Sequence, residues 1–233
     1  MRRILKRVPV SRRLVTLLVM LAWIGLCLYP DPRPLLSSLG RLTHPPVDAA
    51  AAAGLAAGLP RDPAAIETFV DAYVPYKTAW ALYGMTWYFP TVAQVVTDKG
   101  GDCQARAVLT ASIFQAKGLP YTFRYSFDHV WVDWPGKKVT ALEDSATAFV
   151  SDAGQGWWAS LPHKIPLRDI VEVRLWYHWD PMPAARKALM LVGVLLALFF
   201  GENLLTPIFS AATRAVWRRG RRPTPESESI SPV

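Results

Sequence analysis

Two apolar runs, one near each end of the chain, most restrict what it can fold into. Leu14 to Tyr29, LVTLLVMLAWIGLCLY, places 16 residues without a charge between Arg13 and Pro30-Asp31. That is short against the about 20 residues a bilayer asks for, but flanking arginines can extend to the headgroups, and Trp23 and Tyr29 suit an interfacial end. A cleaved leader is the rival reading. No small-x-small site follows the run, and a lipoprotein site at Cys27 lacks its small residue because Leu26 stands there, so an uncleaved anchor over 14–29 is expected. The second run starts after Arg186-Lys187. Ala188 to Phe200 is wholly apolar, and continuation to about Phe209 gives a spanning helix over 188–209. Glu202 and Asn203 fall inside it, either near headgroup level or facing a partner membrane protein.

The formal net charge of +8 invites a nucleic-acid reading until the charges are located. Six basic residues (Arg2, Arg3, Lys6, Arg7, Arg12, Arg13) precede the first run and five (Arg214, Arg218, Arg219, Arg221, Arg222) follow the second. Between Asp31 and Asp180 stand 13 basic and 15 acidic residues, so the middle is slightly acidic and no nucleic-acid surface is expected. Basic ends on both sides put residues 1–13 and 210–233 in the cytoplasm and the middle outside it. The last stretch, PTPESESISPV, is too polar to fold alone.

Residues 30–61 read as proline-punctuated linker followed by an alanine-rich helix that Asp48 can cap. Asp62-Pro63 opens another helix, with Ile66, Phe69, Val70 and Tyr73 at helical spacing. An aromatic section from Tyr76 to Phe89 reads as core or cleft wall, and a short helical stretch covers Val92 to Val96. Gly100 to Tyr121 then supplies a helix apolar over most of its circumference, so it should be buried, with Asp102 as its cap and Gly118 as its stop. Strict alternation from Tyr121 to Phe127 marks a half-buried strand; a second runs from His129 to Trp134, Pro135-Gly136 turns, and a third is expected from Lys137 to Glu143. The fold class is α+β, a buried helix packed on an antiparallel sheet.

Cys103 opens the buried helix, where unpaired N–H groups and the helix dipole favour a thiolate. If Pro135-Gly136 is the whole loop, His129 lies opposite Leu142, and Asp144 shares its face at a diagonal of roughly 7 Å. Glu143 should point to the other face. Cys103, His129 and Asp144 thus make a nucleophile, a base and an orienting carboxylate. His44, His163 and His178 are scattered without companions at ligand spacing, so no metal is expected; Gly100-Gly101 is no phosphate loop, and no cofactor is expected.

These residues resemble the transglutaminase-like superfamily of papain-like fold, in its bacterial membrane-anchored type. The resemblance rests on Gly101-Asp102-Cys103 heading a helix that ends in Gly118-Leu119-Pro120, on His129-Val130-Trp131-Val132, and on Asp144-Ser145-Ala146-Thr147. It implies a transglutaminase-like domain over about 62–182 between the two spans. By the same resemblance Cys103 attacks a carboxamide or peptide carbonyl to give a thioester, which water or an amine resolves. Its oxyanion would be held by the Cys103 N–H and an upstream side chain, Gln94 or Trp87. Location outside the cytoplasm points to peptide, protein or cell-envelope amides as substrates. The competing class is a binding or assembly module that keeps the fold with its chemistry idle.

Overall fold

The structure, a computed structural model, describes residues 12–126, 129–138, 143, 150–151 and 175–200. They fall into two compact units, one within Met1–Cys27 and Ala185–Val233, the other within Leu28–Ala184.

The first unit pairs α1 (Arg12–Leu28) with the last described helix, α8 (Ala184–Phe200). The Trp23 indole N–H donates to the Leu189 carbonyl at 3.2 Å, and Arg186 Nη1 donates to the Cys27 carbonyl at 3.2 Å. Gly193 makes this approach possible, since a Cβ there would lie 1.9 Å from Trp23 Nε1. Leucines on both helices remain exposed, among them Leu18, Leu21, Leu195 and Leu198. Among the described residues no single helix is long and apolar enough to cross a membrane. The continuation of the second run through Glu202 and Asn203 to Phe209 lies outside the described residues.

In the second unit the chain runs through α2 (Arg33–Thr43), α3 (Ala49–Ala57), α4 (Pro63–Tyr73), α5 (Ala79–Tyr83), α6 (Val92–Asp98) and α7 (Cys103–Lys117). Among the described residues the strands β1 (Thr122–Tyr125), β2 (Val130–Asp133) and β3 (Val150–Ser151) follow, and then a π turn, Leu175–Trp179. The class is α+β, as the change of period predicts. One correction falls on the linker. The segment from Pro30 to Pro46 contains α2, because Pro32 and Pro34 stand at the helix start, where a missing N–H costs nothing, and Pro45-Pro46 come after its end. The helix is then clasped to the domain: Arg41 Nη1 donates to the Phe89 carbonyl at 2.7 Å, and the Phe89 N–H donates to buried Ser38 Oγ at 3.0 Å.

Aspartate caps set the starts of α3, α4 and α7. Asp48 accepts from Ala51 N–H at 2.9 Å, Asp62 from Ala64 N–H at 3.2 Å, and Asp102 from Gln104 and Ala105 N–H at 3.1 and 3.3 Å. Helix α7 is the centre of the core, buried from Gln104 to Phe114 except at Arg106, and it stops where Gly118 takes φ +63. Ala52 and Ala56 of α3, Ile66 and Val70 of α4, Val92 and Val95 of α6, and Phe123, Tyr125, Val130 and Val132 of the sheet close around it. The Asp48 N–H donates to Ser112 Oγ at 3.0 Å, which locks α3 onto α7.

The sheet is antiparallel in the order β2-β1-β3, with Thr122 opposite Asp133, Tyr125 opposite Val130, and Tyr125 also opposite Val150. Pro135-Gly136 does turn the chain: Lys137 N–H donates to the Trp134 carbonyl at 3.1 Å and Gly136 takes φ +91, as a type II turn requires. The strand expected from Lys137 to Glu143 is not found where it can be checked, since Lys137, Lys138 and Glu143 lie outside any strand.

Candidate active site

Cys103 occupies the first position of α7, just after a closely packed stretch of backbone at Gly101. Gly101 bridges to Tyr76, its N–H donating to the Pro75 carbonyl at 3.2 Å while its carbonyl accepts from Lys77 N–H at 2.9 Å. A Cβ on Gly101 would stand 2.3 Å from the Ala105 Cβ, so the Gly-x-Cys spacing reflects close approach of the incoming chain to the first turn. The Val130 backbone N–H, at the start of β2, faces the thiol and favours its ionised form. His129 is the residue immediately before Val130 in the chain.

The electrostatics at the thiol run against the sequence expectation. Burial first, and then the neighbouring Asp102 carboxylate, push Cys103 up to about 12, outweighing the backbone N–H groups of Val130, Gln104 and Cys103 itself. The resting residue is a thiol, and the helix terminus alone does not ionise it. Asp102 is itself held high by burial, moderated by a hydrogen bond from Tyr177 and by the N–H groups it caps. Tyr177 belongs to the π turn, which packs over this end of α7: Trp176 stacks on Tyr76 with centroids 6.5 Å apart, and Trp80 Nε1 donates to the His178 carbonyl at 2.8 Å. The phenols of Tyr76 and Tyr177 are both raised, by burial first and then by the charges of Asp102 and Cys103.

His129 is fixed by its neighbours. Its N–H donates to Ser126 Oγ at 3.1 Å, its carbonyl accepts from Ser126 N–H at 2.9 Å, and its ring stacks on Trp131 at 5.8 Å and 17°. The carboxylate found on the ring belongs to Glu143, whose Oε1 lies 3.5 Å from His129 Nε2. Asp144 lies outside the described residues. Glu143 was expected on the opposite face. That expectation fails because it assumed a continuous strand after the turn, whereas Lys137 turns inward and binds Glu143 Oε2 at 3.0 Å. Partners of opposite charge hold Glu143 below the ordinary carboxylate range in spite of its partial burial.

The two oxyanion candidates behave differently. Gln94 is committed to its own helix start, its Oε1 accepting from Thr91 N–H at 2.9 Å in a capping box and its Nε2 donating to Tyr88 Oη at 3.1 Å. Trp87 packs against the core, and its carbonyl accepts from Tyr29 Oη at 3.1 Å. Sequence reasoning missed Glu143, Lys137 and Tyr177 as neighbours of the site. A lysine directly after a Pro-Gly turn was the available signal for Lys137, but nothing local marks the others. His178 lies 2.9 Å from Thr86 Oγ1 through Nδ1, and among the described residues no group of three His, Cys, Asp or Glu could hold a metal ion.

Comparison with protein-family models, with curated proteins and with solved structures finds no match to this chain.

Proposed function

We propose that the chain is a membrane-anchored, extracytoplasmic thiol enzyme of transglutaminase-like type, its papain-like core carried between spans at 14–29 and 188–209. It hydrolyses or transfers amide bonds of peptide or cell-envelope substrates through Cys103, His129 and a carboxylate. The observation that supports the reading is the burial of Cys103 at the head of α7 with the Val130 amide against its thiol, while the residue before Val130, His129, has its Nε2 3.5 Å from Glu143 Oε1. With Nε2–H given to a carboxylate, Nδ1 keeps the lone pair and is the basic nitrogen. Because the resting thiol is protonated, the mechanism is general-base attack rather than attack by a preformed thiolate.

In the first half, His129 Nδ1 takes the thiol proton as sulfur bonds to the carbonyl carbon, and the carbonyl electrons move to oxygen. The Cys103 N–H at the helix start is the donor best placed for that oxyanion. The imidazolium gives its proton to the departing amine as the C–N bond breaks, leaving a thioester. In the second half, water or an amine attacks, His129 takes its proton, and the C–S bond breaks with return of that proton to sulfur.

The test is alkylation of Cys103 by iodoacetamide, followed on the Cys103 peptide, together with trapping of a thioester from envelope peptides. Expected is slow alkylation that slows further in His129→Ala, and an acyl adduct absent from Cys103→Ala. Equal alkylation with and without His129, and full function in Cys103→Ala, would sink the enzyme reading. The raised thiol favours one second reading, an idle assembly module of the same fold, and those outcomes are the ones it requires. Topology has its own measurement: a C-terminal reporter active only outside the cytoplasm would overturn the orientation.

A further inference from the structure

Lys137 carries a charge where the domain has almost no solvent to spare. Its side chain is only 7% exposed, and its ammonium makes three bonds, one for each N–H: to Glu67 Oε1 at 2.7 Å, to Glu143 Oε2 at 3.0 Å and to the Val132 carbonyl at 2.9 Å. It also lies 4.5 Å from the centroid of the Trp134 ring. A buried ammonium is tolerated only when its donors are satisfied and its charge is matched. Here it is over-matched, by two carboxylates. The cluster Glu67–Lys137–Glu143 therefore keeps one negative charge to spare, and the next group along it is His129.

We propose that Lys137 is a positioning residue for the reaction: it pins one oxygen of Glu143, so that the other is presented to His129 Nε2 and Nδ1 is turned to Cys103. This inference rests on the reading of His129 as the base for Cys103. Two features make the arrangement directional. Glu67 stands on α4 and Lys137 follows the β2 turn, so the ammonium ties Glu143 to the helical layer. The surplus negative charge offsets the imidazolium that forms when His129 takes the thiol proton. Other charged groups nearby have partners of their own: Asp71 pairs with Arg106 at 2.9 Å, and Asp133 with Arg124 at 3.4 Å. Asp102, beside the thiol, is bonded by Tyr177.

The experiment is the pH profile of Cys103 alkylation by iodoacetamide in the full chain, comparing wild type with Lys137→Met, Lys137→Arg, Glu67→Gln and His129→Ala. Methionine keeps the stem and removes the charge. Expected is about a tenfold fall in the neutral-pH rate for Lys137→Met, equivalent to a shift of about one pH unit, with partial recovery in Lys137→Arg. Lys137→Met should have no further effect in a His129→Ala background, a non-additivity that a structural role would not produce. If Lys137→Met does not fold, as checked by circular dichroism, Glu67→Gln takes its place, with an expected loss of about threefold. A wild-type profile in the folded Lys137 variant, or in Glu67→Gln where it stands in, overturns the proposal while leaving His129 as the base. A wild-type profile in His129→Ala overturns the reading beneath it as well.

Discussion

Replacing Gly101 by alanine tests whether the Gly-x-Cys spacing is a packing requirement of the nucleophile's helix. The new Cβ would meet the Ala105 Cβ at 2.3 Å and Val74 Cγ1 at 3.6 Å, so the first contact is about 1 Å short of ordinary van der Waals distance. Neither side can yield cheaply. Ala105 is fully buried on α7, and Gly101 is tied on both sides by backbone bonds to Pro75 and Lys77. Overpacking of this kind costs about 1–3 kcal/mol. For a chain of this size each kcal/mol moves the melting temperature by about 2–4 °C, so a fall on the order of 5 °C is expected by circular dichroism. Alkylation of Cys103 should change as well, because the strain falls on the turn that seats it against Val130. Ala105→Gly, which alone costs about 1 kcal/mol of helix propensity, removes the clashing atom. The double variant should therefore be about as stable as Ala105→Gly itself. If it instead loses the sum of the two single effects, the steric explanation is refuted.

Three further outcomes can be checked. Asp102→Asn keeps a capping side chain but removes the charge next to the thiol, so the alkylation midpoint of Cys103 should move to lower pH; an unchanged or higher midpoint contradicts the assigned cause. Glu143, held low by Lys137 and His129, contributes stability that is present above its ordinary 4.5 and is lost as pH falls through its lowered value in the folded protein. Glu143→Gln should flatten that acid limb in pH-dependent unfolding, and an identical limb would count against the pairing. In the first unit, Gly193→Ala should displace the indole of Trp23 from α8 and break its bond to Leu189, read as a shifted fluorine resonance of 5-fluorotryptophan at that position; an unmoved resonance would refute the contact.

The helix starts were legible because capping is local. Asp48, Asp62 and Asp102 each sit two or three residues before the N–H they bind, and Gly118 stops α7 through its own φ. The alternation from Tyr121 likewise anticipates β1, whose buried residues are Phe123 and Tyr125. Helix α2 is not legible locally because its flanking prolines read as linker. Its clasp, Arg41 on Phe89, joins residues far apart in sequence. The face of Glu143 was not legible for a comparable reason. Counting register through Pro135-Gly136 fixes a face only while the strand continues, and the buried ammonium of Lys137 draws Glu143 elsewhere.

By itself, then, the sequence determined the segments: two apolar runs with basic flanks, a buried helix opened by Asp102-Cys103, and two strands, one from Tyr121 and one at His129 to Trp134 that ends in a Pro135-Gly136 turn. Those follow from spacing, capping and composition, which act over a few residues. Tertiary structure alone decided the state of the thiol and the company of the imidazole. Cys103 is raised because folding buries it beside Asp102, and His129 faces Glu143, whose other oxygen binds Lys137, itself paired with Glu67 of α4. Desolvation and long-range charge pairing depend on what the folded chain brings together, and no local pattern encodes them.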